Sequence, residues 1–159
     1  MASTSFNTSG TLLLIAGILM AISLVTHPVP GATPAENAQI ILNTPNWALI
    51  HLGFVIAGLF FAAGAIIIVG QGRAGSLNPG LWSLVAVSFI AFSTAVISEV
   101  TTIPSLIDAV SKGAATETAI FNAFNSFVGG AATIGVTIFL LSFAAIAFID
   151  HRSKQVVPQ

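Results

Sequence analysis

Hydrophobic residues in this chain fall into four long runs separated by short polar segments. The run from Ala48 to Gly70 contains no charged residue, and its one strongly polar side chain is His51, near the start. About 20 apolar residues, at 1.5 Å rise per residue, cross a hydrocarbon core of ~30 Å. The pattern therefore predicts a transmembrane helix over residues 46–70, and the other runs predict transmembrane helices over residues 11–27, 80–101 and 118–149.

Two short surface helices are predicted between these runs. The segment Thr33-Pro34-Ala35-Glu36 has the pattern of a capping box with proline at the first helical position, which predicts a helix over residues 34–42. Pro104 and Gly113 bracket a second amphipathic stretch, which predicts a helix over residues 104–112. The last ten positions, 150–159, form a polar tail.

Composition supports a membrane protein. The 159 residues are 55% hydrophobic and 6% charged, with a mean hydropathy of +0.99, whereas about a quarter of the residues in a soluble domain are charged. We therefore expect an all-α integral membrane protein, a four-helix bundle forming one domain over residues 1–159. A cleaved signal peptide is the competing interpretation of the first run, but no lysine or arginine precedes it and no A-x-A site follows it.

The two halves of the chain have a similar order of features. Each half has a helix ending in a polar residue, a proline, a short surface helix, a second helix and an arginine. His27, His51 and Arg73 hold these places in the first half; Glu99, Asn125 and Arg152 hold them in the second. A second hypothesis is therefore a parallel repeat of two tandem helical hairpins.

The distribution of basic residues predicts the orientation in the membrane. Arg73, Arg152 and Lys154 lie on one predicted side, and Lys112 lies on the other. Because lysine and arginine in short loops favour the cytoplasmic side, we expect both termini there and the two short helices on the outer face. In general appearance the chain resembles small four-helix bacterial membrane proteins, so a bacterial or archaeal cytoplasmic membrane is expected.

Several classes of chemistry are excluded. Four lysines and arginines do not form an electrostatic footprint for nucleic acid. The absence of cysteine excludes disulfides, thiolate-bound zinc and iron–sulfur clusters, and the absence of tyrosine excludes phenolic chemistry. The expected partners are the lipid bilayer and other membrane subunits, or further copies of this chain.

The predicted topology places four polar residues near the outer membrane level, one from each helix: His27, His51, Glu99 and Asn125. Ionisable groups at membrane depth usually face the bundle interior and are functional candidates. His27, His51 and Glu99 would suit a divalent metal, with Asn125 and Asn122 as supporting hydrogen-bond partners. Alternatively, His27 and His51 would bind a haem iron axially.

The competing interpretation gives these residues interfacial or structural roles and the protein no cofactor. The leading functional hypothesis is thus a non-enzymatic accessory or assembly subunit of a membrane complex. A haem- or metal-binding redox module is the first alternative, and a small transporter or proton path is the second. The path is disfavoured because Ala95, Phe92 and Ser88, on the same helix face as Glu99, are mostly apolar.

Small residues also predict how the helices pack. Val55, Gly58 and Ala62 continue the face that begins at His51, and we expect them to leave room beside the imidazole. Small-residue stripes allow helices to approach closely. We expect packing within the chain, with oligomerisation as the alternative, from two stripes, one of Gly53, Ala57 and Gly64, and one of Ser126, Gly130, Thr133 and Thr137.

Overall fold

The computed structural model describes residues 8–71 and 78–155, and these form five α-helices with no strand among them. Four of the helices contain spans long and apolar enough to cross a membrane, which confirms the predicted all-α, four-helix class. The predicted loop with Arg73 and the last four residues of the tail lie outside the described residues. The helices are α1 (Thr8–Thr26), α2 (Pro34–Leu42), α3 (Trp47–Gly70), α4 (Asn78–Ser111) and α5 (Ala115–Gln155).

The transmembrane helices form an open row. Helix α1 packs on α3, α3 packs on α4, and α4 packs on α5. The short helix α2 covers one end by contacting α4 and α5. Because α1 and α5 are not a packed pair within the described chain, the row does not close into a compact bundle.

Glycines on α3 allow its two neighbours to approach closely. A Cβ atom at Gly53 would overlap the hydroxyl of Ser23 on α1, and one at Gly64 would lie 2.9 Å from Leu13 on the same helix. A Cβ atom at Gly58 would overlap the hydroxyl of Ser93 on α4. The small-residue face predicted for Gly53 and Gly64 is thus the α1 interface.

The buried side chains form two clusters. The first lies between the transmembrane helices and includes Phe54, Phe89 and Phe92. The second lies beneath α2, where Ala38 and Trp47 meet residues from the end of α4 and the start of α5. The α2 end of the molecule therefore has its own small core, next to the transmembrane one.

The predicted break between residues 101 and 104 is absent, because α4 continues through Pro104 to Ser111. Proline inside a helix costs roughly 3 kcal/mol. Continuing the helix, however, buries Ile103, Ile107 and Val110 to 5% exposure or less, and each buried aliphatic side chain stabilises by roughly 1.5–3 kcal/mol. Packing outweighs the local preference, so the predicted helix over residues 104–112 is the end of α4. Gly113, with a φ of 77°, follows that end.

Helix α5 is longer than predicted. It begins at Ala115 and continues to Gln155, into the segment predicted as a tail. Its 41 residues span about 60 Å at 1.5 Å per residue, so α5 is about twice as long as a ~30 Å hydrocarbon core is thick.

The packing within the chain that was predicted for the stripe on this helix is wrong, and its use in oligomerisation stays a prediction. Its four members are exposed, and α5 instead packs on α4 through Gly135, whose added Cβ atom would lie 3.2 Å from the carbonyl oxygen of Ser88. The physical reason is that a nearly uniformly apolar helix carries little periodic signal for its buried face.

Helix α2 begins as predicted. The Thr33 hydroxyl accepts a hydrogen bond from the backbone N–H of Glu36, whose carboxylate accepts one from the N–H of Thr33. Helix α3 begins at Trp47, one position after the predicted start: Asn46 occupies the N-cap position, and the Thr44 hydroxyl donates to the carbonyl of Ile40. The two helix ends are thereby joined by a short turn.

We predict that Gly58→Ala loosens the α3–α4 interface. The new Cβ atom would overlap the Ser93 hydroxyl and lie 3.3 Å from the carbonyl oxygen of Phe89, and overpacking of this kind costs about 1–3 kcal/mol. Thermal unfolding in detergent should therefore show a lower Tm than wild type. Gly70→Ala is the matched control, because nothing lies within 4 Å of its added Cβ atom. Equal Tm values for the two variants would contradict the prediction.

Candidate functional site

A groove of about 750 Å³ runs along the helix row, and we call it the lateral groove. Helices α3 and α4 form its floor, α1 and α5 form its walls, and α2 closes one end. The groove opens sideways between α1 and α5, because these two helices are not packed together. Its wall residues Leu24 and Leu140 are 61% and 57% exposed.

Polar side chains gather at the α2 end of the lateral groove. His27, His51, Glu99 and Asn125, predicted at one membrane level, all line it there, together with Asn37 of α2. The remaining lining is almost entirely apolar. The groove therefore has a small polar end and a long apolar body.

His51 is held by its own helix. Its Nδ1 atom lies 2.8 Å from the carbonyl oxygen of Trp47, one turn earlier, and the Trp47 ring packs 4.2 Å from the imidazole. A carbonyl oxygen carries no proton, so Nδ1 must donate this bond, and in the neutral ring Nε2 is then an acceptor. The residue is only 2% exposed, and Nε2 points toward Glu99.

His27 follows the end of α1 and has a similar arrangement. Its Nδ1 atom lies 2.8 Å from the carbonyl oxygen of Pro28, so this nitrogen is also the donor. The ring centroid lies 5.1 Å from that of His51, with 55° between the ring planes. The two imidazoles are therefore in contact, and both are oriented by backbone carbonyls.

Glu99 reaches the groove from α4. Its Oε1 atom is 3.7 Å from Nε2 of His51, beyond hydrogen-bond distance, and its side chain is 19% exposed. The hydroxyl of Thr101, a candidate donor to this carboxylate, bonds instead to carbonyl oxygens of α4. Within the described chain, His51 is the partner of Glu99.

The geometry does not support the predicted cofactors. Among the described residues, no group of three or more histidine, aspartate or glutamate side chains is arranged to hold a metal ion. An axial haem site needs a macrocycle between its two histidines, whereas the rings of His27 and His51 are in direct tilted contact. Metal or haem binding by His27, His51 and Glu99 therefore stays an unsupported prediction.

The supporting asparagines and the small-residue face predicted beside His51 lie only in part along the lateral groove. Asn125 lines the lateral groove, but Asn122 is exposed and outside it. Val55 and Ala62 are buried in the transmembrane core and do not line the lateral groove beside His51. The space lies instead on the face of α3 that carries Phe54 and Phe61.

Sequence reasoning missed the role of Trp47. Its side chain is 6% exposed, and its ring packs against the imidazole of His51. The four-residue spacing between Trp47 and His51 was the available signal, because such pairs are neighbours on a helix.

Aromatic side chains line the floor beyond the polar end. Phe54 meets Phe92 edge to face, with ring centroids 6.2 Å apart, and Phe61 stacks on Phe89 at 4.5 Å. Phe139 of α5 contacts Phe89 at 4.7 Å. The described floor beyond the polar end is thus lined by aromatic rings and not by polar side chains that could carry a proton. The structure therefore offers no support for a proton path.

Comparisons with protein-family models, with curated proteins and with solved structures find no match for this chain.

We predict that neutral His51 carries its proton on Nδ1. The reason is the hydrogen bond to the Trp47 carbonyl, which only a protonated nitrogen can donate. Nitrogen-15 NMR of imidazole-labelled protein in detergent distinguishes the two tautomers, and the spectrum of His51→Gln assigns the signals. A proton found on Nε2 of the neutral ring would contradict the described site.

Proposed function

We propose that this protein binds an amphiphilic molecule from the bilayer in the lateral groove. The observation that carries the proposal is the division of the groove into a polar end and an apolar body. An amphiphile has the same division, so its head group would lie by His51 and Glu99 and its tail along the aromatic floor. Specific sites of this kind are mostly apolar, with a few placed polar groups.

The dimensions of the groove suit a lipid-like tail. From Asn125 to Leu140, α5 contributes lining residues over a stretch of 16 positions, and the 15 steps between its ends span roughly 22 Å at 1.5 Å per residue. Such a length fits a single chain lying parallel to the helices. The volume of about 750 Å³ falls in the ordinary range of small-molecule sites.

Binding of this kind needs no catalytic group, so it agrees with the expectation of a non-enzymatic membrane protein. Association with other membrane subunits or with further copies of this chain stays a prediction, since no contact of the described residues bears on it.

We predict that Gly129→Leu strongly lowers the occupancy of the groove by its amphiphile. Gly129 lines the groove with nothing within 4 Å of an added Cβ atom, so a leucine there would occupy space meant for the tail. A clash of about 1–3 kcal/mol would lower occupancy about ten-fold. The measurement is mass spectrometry of amphiphiles extracted from the purified protein after exchange into fresh detergent.

Gly130→Leu is the matched control for that experiment. Gly130 also has nothing within 4 Å of an added Cβ atom, but it lies outside the groove. Wild type and this control should retain one amphiphile per chain, whereas Gly129→Leu should lose it. Equal, non-stoichiometric lipid in all three proteins would show that the groove holds only bulk lipid and would refute the proposal.

We also propose a cytoplasmic membrane of a bacterium or archaeon, with both termini inside and α2 outside. Support comes from the order of basic residues along the sequence: Arg73 follows the second apolar run, Arg152 and Lys154 follow the fourth, and Lys112 lies between the third and the fourth. Positive loops favour the cytoplasm.

The orientation is testable because the chain contains no cysteine, so each introduced cysteine is unique. Lys112→Cys should react with a membrane-impermeant maleimide in intact cells, and Ser153→Cys should react only after permeabilisation. The cysteine-free parent controls for background labelling. The reverse pattern would place α2 in the cytoplasm.

A further inference from the structure

We infer that the head group held at the polar end of the lateral groove is a primary ammonium. The inference rests on the proposed function and narrows it to amphiphilic amines. The evidence is the set of hydrogen-bonding atoms that the described residues leave facing the groove.

The atoms of the two histidines and of Glu99 are acceptors, whereas the side-chain amides of Asn37 and Asn125 can both donate and accept. Because Nδ1 of His27 and of His51 donates to a backbone carbonyl, each neutral ring presents Nε2 as an acceptor. The carboxylate of Glu99 is an acceptor as well. Three acceptors on three different segments thus border one end of the groove, and a head group that pairs with all three must supply donors.

The distance between Nε2 of His51 and Oε1 of Glu99 suits a hydrogen-bond donor that lies between the two atoms. Nε2 and Oε1 are 3.7 Å apart, which is too far for one proton to bridge as a hydrogen bond. A nitrogen with several N–H groups can donate to both atoms at once, whereas a hydroxyl has one proton to donate. His51 is 2% exposed, so its Nε2 atom gains little from bulk water, and buried polar atoms are normally paired.

Charge favours the same head group. Glu99 is the one acidic residue lining the groove among the described residues, and no lysine or arginine lines it. Lys112, on the α2 side of the molecule, is bound to Asp108 at 2.6 Å. A cationic head group would therefore neutralise Glu99 where the protein supplies no lysine or arginine.

The aromatic surroundings are compatible with a cation. The ring of Trp47 packs 4.2 Å from His51, and the ring of Phe54 lies 6.2 Å from the same imidazole. Aromatic faces attract ammonium groups, tryptophan most strongly. An ammonium beside His51 would thus have aromatic rings close by as well as acceptors.

Selectivity among amphiphiles must come from the head group, because the tail gains little free energy on moving from the lipid into the groove. An alkyl chain leaving lipid for an apolar groove exchanges one hydrocarbon environment for another. The polar end is therefore the part of the site able to distinguish one amphiphile from the next.

Tryptophan fluorescence provides a direct test. Trp82→Phe leaves Trp47 as the single tryptophan of the chain, and Trp47 lines the polar end. The protein, in phosphatidylcholine nanodiscs, is titrated with four dodecyl amphiphiles brominated beside the head group, because bromine quenches nearby tryptophan. Their head groups are a primary amine, a trimethylammonium, a hydroxyl and a carboxylate.

The amine is expected to give saturable quenching with an apparent Kd about ten-fold below that of the other three amphiphiles. Adding Glu99→Gln, which keeps the side-chain shape but removes the charge, should abolish this preference. Gly130→Leu, outside the groove, should leave the preference unchanged.

The remaining outcomes separate the two proposals. Equal saturable binding of all four amphiphiles would overturn the ammonium inference and leave the proposed function standing. A preference for the amine that survives Glu99→Gln would also overturn it. Quenching that rises without saturation for every amphiphile, in wild type and Gly129→Leu alike, would overturn the proposed function itself.

Discussion

The close contact of α3 with its two neighbours determines the form of the molecule. In a bilayer, helices gain nothing from leaving water together, so association depends on how tightly their surfaces fit. Gly53 and Gly64 bring α1 against one side of α3, while Gly58 brings α4 against another. Helix α3 therefore acts as the shared partner of both, and α1 has no other packed transmembrane neighbour among the described residues.

The lateral groove is a consequence of that arrangement. A row of helices packed only on successive neighbours leaves its two outer members apart, and the space between α1 and α5 has α3 and α4 as its floor. The short helix α2 and the small core beneath it close the end at which His51 and Glu99 lie. The polar end of the groove thus lies where the transmembrane core meets this second core.

The sequence was most informative where the polarity of the residues changes sharply along the chain. Long apolar runs located the transmembrane helices, and Thr33 with Glu36 located the start of α2. Local rules failed where distant contacts decide the outcome: Pro104 predicted a break, but burial of Ile107 and its neighbours keeps α4 continuous. Hydropathy also could not identify which face of α5 packs on α4, so the contact at Gly135 was missed. Nor could hydropathy show that the row of helices stays open beside His51.

The open side of the groove changes which concentration governs its occupancy. A closed pocket in a soluble protein samples molecules dissolved in water, whereas the open side of this groove, between α1 and α5, would face the lipids of the membrane. The relevant quantity is then the mole fraction of an amphiphile among the surrounding lipids. Under the proposed function, a compound almost absent from water but enriched in the bilayer would fill the site, and altering the lipid composition would change occupancy without altering the protein.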